Sequence, residues 1–156
     1  MTAAPGLEIF LADESATLAL GKRLAKALAP GMYIALQGEL GSGKTTLARG
    51  LLRGLGYEGR VKSPTYTLVE LYKLSKLDLY HFDFYRFGDP RDLIDAGLRE
   101  AFDDAAVCVV EWPEKAAEHL PRPDLRIRLN ESHGGRIASI TAETEAGRSC
   151  LAQLQN

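Results

Sequence analysis

The chain has 156 residues, 46% of them hydrophobic and 26% charged, with a formal net charge of −2 at pH 7. That length suits one domain with a single core flanked by helices, and the near-neutral balance advertises no broad basic surface for nucleic acid, though it leaves room for local basic patches. Residues 1–6 carry no basic stretch leading into an apolar core, no run is apolar enough for a bilayer, and Cys108 and Cys150 lack metal-ligand spacing, so the expectation is a cytoplasmic protein with reduced thiols and no membrane association.

Leu7-Glu8-Ile9-Phe10-Leu11 alternates weakly, as a first strand does. Asp13-Glu14-Ser15 then offers N-cap candidates for a helix through Leu18, Leu24, Ala25 and Leu28, stopped by Pro30-Gly31. Met32-Tyr33-Ile34-Ala35-Leu36-Gln37 has strand character and runs into Gly38-Glu39-Leu40-Gly41-Ser42-Gly43-Lys44-Thr45, which fits G-x-x-x-x-G-K-[ST]. Thr46-Leu47-Ala48-Arg49-Gly50-Leu51-Leu52-Arg53 follows with its apolar residues at helical spacing. Strand, glycine loop and helix in that order make a nucleoside triphosphate site. The glycines let consecutive backbone N–H groups turn inward on the phosphates, and the helix N-terminus adds partial positive charge. In that setting Lys44 reaches the β- and γ-phosphates, and the Thr45 hydroxyl takes one coordination position on magnesium. A glycine-rich turn that carries Lys and Thr by coincidence has both flanks against it.

Residues 61–72 contain Ser63-Pro64-Thr65-Tyr66-Thr67, where Pro64 argues against a central strand at its own position. Residues 77–87 are strand-like and aromatic, residues 92–102 read as a short helix, and residues 105–111 as a buried strand. After Pro121-Arg122-Pro123, Leu125-Arg126-Ile127-Arg128-Leu129 alternates strictly and pairs with Arg136-Ile137-Ala138-Ser139-Ile140-Thr141 as a hairpin across Ser132-His133-Gly134-Gly135. Early strand–helix alternation favours a parallel, helix-covered sheet, while the short later connections favour antiparallel pairing. The expected fold is α/β: one P-loop NTPase-like domain over residues 1–156, with a mixed sheet, a parallel core, antiparallel strands and helices on both faces.

Hydrolysis or transfer requires a second set of groups, to complete the magnesium site and to orient water or an acceptor. Ala106-Val107-Cys108-Val109-Val110-Glu111 is an apolar run ending in a carboxylate, as suits a strand buried on both faces. A buried Glu without compensation is costly, so Glu111 reads as the metal-linked acid; the alternative is the first residue of a solvated loop. In Leu79-Tyr80-His81-Phe82-Asp83-Phe84-Tyr85-Arg86, period-two alternation puts Leu79, His81, Asp83 and Tyr85 on one face and Tyr80, Phe82, Phe84 and Arg86 on the other. Asp83 orients the attacking water, reaches magnesium or accepts a hydroxyl proton; alternatively it makes a structural hydrogen bond to His81 or nearby backbone. Thr65 is either a γ-phosphate sensor or part of a β-turn with Pro at its second position. His119 and His133 lie in polar or turn contexts and point to solvent. Trp112, directly after Glu111, either packs beside the nucleotide or caps the core, the more usual place for an indole.

Taken together, Gly-Glu-Leu-Gly-Ser-Gly-Lys-Thr-Thr from Gly38 to Thr46, the block Val-Lys-Ser-Pro-Thr-Tyr-Thr-Leu-Val-Glu from Val61 to Glu70, His81-Phe82-Asp83-Phe84-Tyr85-Arg86 and Val110-Glu111-Trp112 resemble, in order and spacing, the bacterial tRNA threonylcarbamoyladenosine biosynthesis ATPase family TsaE. The likeness covers roughly residues 13–121 and is weak after Pro121. It implies a small mixed α/β ATPase that binds ATP and magnesium and supports threonylcarbamoylation of N6 of adenosine 37 in tRNA. The transfer itself belongs to a partner heterodimer, TsaB–TsaD, through which any contact with tRNA is indirect. The resemblance further implies that Thr45 and Glu111 are the magnesium-linked positions, that Asp83 is an acid required for activity, that Trp112 lies close to the nucleotide, and that residues 13–17, with Thr17, lie near the base.

Two other functions share the cradle. A small-molecule or nucleoside kinase needs an acceptor pocket and an arginine-bearing lid, whereas the nearby basic groups are Lys62, Arg86 and Arg91. A GTP-dependent switch needs an Asn-Lys-x-Asp element to read guanine, which the sequence lacks.

Overall fold

A computed structural model describes residues 6–103 and 105–155; residues 1–5, on which the reading of the N-terminus as free of a signal depends, lie outside them. The elements are β1 (Gly6–Leu11), α1 (Glu14–Ala27), β2 (Tyr33–Gln37), α2 (Lys44–Gly54), β3 (Val69–Lys73), β4 (Asp78–Asp83), α3 (Pro90–Asp95), α4 (Leu98–Asp103), β5 (Val107–Glu111), a 3-10 helix (Pro113–His119), β6 (Leu125–Ser132), β7 (Gly135–Ala142) and α5 (Glu145–Gln155).

The strands form one sheet in the order β1-β7-β6-β2-β5-β4-β3. Its centre is parallel, with β6, β2, β5 and β4 running the same way, and antiparallel neighbours close both sides. This is the expected mixed sheet. Alternation along the central strands splits the core between two faces. Ile34, Leu36, Val107, Val109 and Ile127 join the apolar faces of α1, α2 and α5, whereas Tyr33, Ala35, Cys108, Val110 and Phe82 pack with α3, α4 and the 3-10 helix. Helices therefore cover both faces. A central strand buried on both sides must be apolar throughout, and all five residues of β5 are buried.

Several boundaries differ from the sequence reading. The strand expected over residues 77–87 stops at Asp83: the Phe84 N–H makes the last bond across to β5, to Glu111 O, and the chain then turns, with Phe87 N–H donating to Phe84 O. The aromatic pattern persists past that point because Phe84 and Phe87 continue to pack in the second core. The single helix expected over residues 92–102 is two, divided at Gly97, whose φ of 74° leaves the helical region. The 3-10 helix and α5 are additions. In α5 the buried residues Gly147, Cys150, Leu151 and Leu154 recur at helical spacing, and Thr144 accepts the Gly147 N–H at its start. Cys108 and Cys150 are buried and not joined in a disulfide, as the expectation of reduced thiols requires, and burial pushes the Cys150 thiol up to about 11. Among the described residues, no helix is long and apolar enough to cross a membrane.

One helix contact fixes the geometry near the loop. Gly21 of α1 faces Gly50 of α2, and a Cβ on Gly21 would lie 2.6 Å from Leu47 O and 2.7 Å from Gly50 Cα. Two missing side chains let the helices approach closely, and Thr17 of α1 is thereby buried against the glycine loop.

Candidate active site

Residues 38–43 join the end of β2 to the start of α2, and two glycines are required by position. Gly43 is the N-cap of α2 with a φ of 105°, in the left-handed region. A Cβ on Gly38 would stand 2.5 Å from Ser42 Oγ and 2.7 Å from Leu129 O, so the turn closes only around a bare backbone. The N-terminus of α2 is thus aimed at the loop with its first N–H groups free of intrahelical partners.

Lys44 is buried, and its Nζ donates to Gly38 O at 2.6 Å and Glu39 O at 2.9 Å. The same ammonium stands 4.4 Å from the centroid of the Trp112 ring. Burial lowers the Lys44 pKa from its ordinary value, opposed by the carboxylates of Glu111, Asp83, Glu114 and Glu39. Arg136, on β7, braces the far side of the loop, donating to Ser42 O and Gly41 O, each at 3.3 Å.

The parallel strands deliver the two acids side by side. In the register of β4 and β5, Asp83 is the direct partner of Glu111, each being the last residue of its strand. Glu111 Oε2 accepts from Thr45 Oγ1 at 2.9 Å and lies 2.7 Å from His81 Nε2. Asp83 Oδ2 accepts from Ser63 Oγ at 2.6 Å and Thr65 Oγ1 at 3.0 Å, while Oδ1 accepts the Tyr85 N–H at 2.9 Å. Both carboxylates are buried.

Lys44, Thr45, Thr65, Asp83, Glu111 and Trp112 all line one cavity of about 460 Å³. A second cavity, about 250 Å³, lies on the other side of the loop and contains Asp13, Thr17, Gly43 and Arg136. Leu40, Gly41 and Thr46 line the larger cavity, and Ser42 the smaller. Gly38 and Glu39 line neither; their carbonyls hold Lys44.

Some individual expectations change. Glu111 does not begin a solvated loop. His81 bonds Glu111 rather than Asp83, and the backbone bond of Asp83 goes to Tyr85. The turn near Thr65 runs from Pro64 O to the Leu68 N–H at 2.7 Å, so Pro64 opens the turn instead of holding its second position. Trp112 does cap the second core, but only half-buried and with φ 57°, its ring also packing against Tyr85 and facing Lys44. His119 and His133 are exposed, as expected. Of the three basic groups named above, Arg86 lines the larger cavity and Lys62 and Arg91 do not.

Three participants were not read from sequence. Ser63 sits in a motif but gives no sign that it shares Asp83 with Thr65. The contact of His81 with Glu111 depends on diagonal neighbours across β4 and β5. Arg136 reaches the loop across 94 positions of chain, which no local pattern reports.

Magnesium is a hard cation that takes oxygen donors, usually one or two protein ligands completed by phosphate oxygens and water. The Thr45 hydroxyl and Glu111 carboxylate, 2.9 Å apart at the loop, are donors of that kind. Among the described residues no group of three or more His, Cys, Asp or Glu side chains converges to hold a metal alone. The arrangement fits an ion shared with a triphosphate.

A sequence model of the family described as "Threonylcarbamoyl adenosine biosynthesis protein TsaE" matches residues 11–138. The tRNA threonylcarbamoyladenosine biosynthesis protein TsaE of Haemophilus influenzae is 38% identical over 152 residues, covering 94% of this chain and 96% of that protein. The protein of the same name from Bacillus subtilis is 42% identical over 116 residues, covering 74% of this chain and 72% of its own length. The crystal structure of Bacillus subtilis YdiB superposes with a TM-score of 0.86 at 30% identity, over 99% of this chain and 97% of that one.

Proposed function

Because the chain belongs to the TsaE family of threonylcarbamoyl adenosine biosynthesis proteins, we propose that it is the ATP-binding and ATP-hydrolysing subunit needed to threonylcarbamoylate N6 of adenosine 37 in tRNA. The observation that carries this reading is the convergence of Lys44, Thr45, Thr65, Asp83 and Glu111 on one cavity at the mouth of the glycine loop. The relatives reported above are named for tRNA threonylcarbamoyladenosine biosynthesis, and none of them supports a kinase.

The larger cavity takes the phosphates and the smaller one, with Thr17, takes the base. Lys44 exchanges its loop carbonyls for β- and γ-phosphate oxygens, and the backbone N–H groups at the start of α2 bind the remaining charge. Thr45 and Glu111 hold magnesium, which when bound neutralises charge developing on the phosphates. Asp83 orients the attacking water or takes its proton, with a water-mediated contact to the metal as the lesser role. Thr65 senses the third phosphate through its shared bond with Asp83.

The cations lining the larger cavity are Lys44 and Arg86, and Arg86 donates to the Tyr66 hydroxyl at 3.3 Å while lying over its ring. Transition-state charge on a transferring phosphoryl group is stabilised by cations, and a missing one supplied in trans gives large rate gains. The isolated chain is therefore a slow, magnesium-dependent ATPase, accelerated by the TsaB–TsaD heterodimer, with tRNA contacted through that assembly. Steady-state phosphate release from the purified chain, alone and with the heterodimer and tRNA, tests this. Rapid release that the partners leave unchanged would overturn it, and phosphate transfer to a small acceptor would restore the kinase reading.

A further inference from the structure

His81 is wholly buried in β4, two residues before Asp83. Its Nε2 lies 2.7 Å from Glu111 Oε2, and its Nδ1 is buried with no hydrogen-bond partner among the described residues. A carboxylate offers only lone pairs, so Nε2 carries the hydrogen and donates it. Nδ1 then presents a bare lone pair, because a hydrogen there would be a buried donor without an acceptor. A ring serving only to fill space would be better replaced by an apolar side chain that leaves no polar atom dry. Its one polar contact with the rest of the site is Glu111.

The register explains why this contact falls where it does. Asp83 is the direct partner of Glu111 and His81 that of Val109, so His81 and Glu111 are diagonal neighbours on the same sheet face. Oε2 of Glu111 is held from two sides, by His81 and by Thr45 at 2.9 Å, while Oε1 has only a longer contact to Thr45 at 3.2 Å. Pinning one oxygen fixes the rotation of the carboxylate and leaves the other the less engaged. The geometry points to His81 as the positioning residue for Glu111, an Nε2–H donor that sets the orientation in which the carboxylate meets magnesium. Partners that orient a metal ligand in this way typically change metal affinity about 10- to 100-fold when removed. The inference rests on the reading of Glu111 as the magnesium-linked acid.

The test is calorimetric titration of the full chain with a non-hydrolysable ATP analogue, in EDTA and in magnesium. The quantity read is the factor by which magnesium tightens binding. His81→Leu should reduce that factor by about tenfold, while binding in EDTA serves as the internal control. His81→Gln, whose amide nitrogen reaches the place of Nε2, should recover most of it. Glu111→Ala should abolish it. If His81→Leu retains the full factor while Glu111→Ala loses it, the role of His81 falls and the metal reading stands. Equal loss in His81→Leu and His81→Gln would show that ring shape matters and the N–H does not, which also overturns it. If Glu111→Ala keeps the factor, or the unaltered chain has none, the metal reading itself fails. Should His81→Leu not fold, the decision passes to His81→Gln, and loss of the factor in that folded variant overturns the inference.

Discussion

Thr65 Oγ1 lies 3.0 Å from Asp83 Oδ2, tying an irregular segment to the last residue of a central strand. Ser63 donates to the same oxygen at 2.6 Å, so one carboxylate carries two hydroxyls of residues 63–67. The segment ends at Leu68, a non-glycine residue with φ 70°, and Leu68 O accepts the Asp83 N–H. A leucine in the left-handed region is held there by its surroundings at some energetic cost. The hydroxyls of Ser63 and Thr65 thus fasten residues 63–67 to Asp83 at the lining of the larger cavity, beside a Tyr66 contact with Arg86 and a Thr67 bond to Val69 O.

Thr65→Ala should lower the ratio of ATP to ADP affinity more than it lowers ADP affinity itself. Loss of one hydrogen bond to a charged group corresponds to about 1.5–3 kcal/mol at most, hence a ratio reduced roughly 10- to 100-fold. Parallel titrations with the two nucleotides measure it. An unchanged ratio would remove Thr65 from phosphate sensing.

The two acids should separate. Glu111→Gln is expected to weaken the magnesium dependence of binding, since an amide is a poorer ligand for a hard cation. Asp83→Asn should still bind ATP but lose turnover, and should also expose residues 63–67 to proteolysis. If Asp83→Asn alone removes the magnesium dependence, the two roles are reversed.

Lys44 and Gly43 contribute differently to the cradle. Lys44→Ala should fold and bind ATP about 10- to 100-fold more weakly, the range for losing a charged hydrogen-bonding group. Gly43→Val places a β-branched residue at φ 105° and should lose both binding and stability. Normal ATP affinity in both folded variants would falsify the site.

ATP affinity should fall on the alkaline side earlier than an ordinary lysine would dictate. Burial lowers the Lys44 pKa below 10.5, and phosphate binding favours the charged form. Binding therefore takes up a proton once pH exceeds the pKa of the free protein, and affinity declines by up to about tenfold per pH unit between that pKa and the higher one of the complex. Folding has the opposite slope from this group. Its depressed pKa is unfavourable to the folded state at lower pH, and that penalty is relieved as pH rises toward 10.5. Affinity measured from neutral to alkaline pH, compared with Lys44→Ala, isolates the effect.

The loop, its flanking strand and helix, and the apolar strand ending in Glu111 were legible because each is a local pattern. The same alternation that placed His81 and Asp83 on one face proved correct. What escaped was of two kinds. Gly97 breaks a pattern that periodicity alone reads as continuous. Ser63 with Asp83, His81 with Glu111 and Arg136 with the loop are pairings between distant segments, set by sheet order and register. The close approach of Gly21 to Gly50 is of the same kind, since either glycine read singly is only a weak spot in a helix.

Trp112 gives this site an optical property. It is the only tryptophan in the chain, and its indole stands 4.4 Å from the Lys44 ammonium and 5.1 Å from the Tyr85 ring. Selectively excited emission therefore arises from one location, beside Lys44 in the lining of the larger cavity. A ligand that draws Lys44 away from the ring alters the field on the excited indole without any label being attached. If the proposed site binds ATP, its arrival and departure can thus be followed in real time in the unmodified protein, and the effect of any added protein on each step read from the same signal.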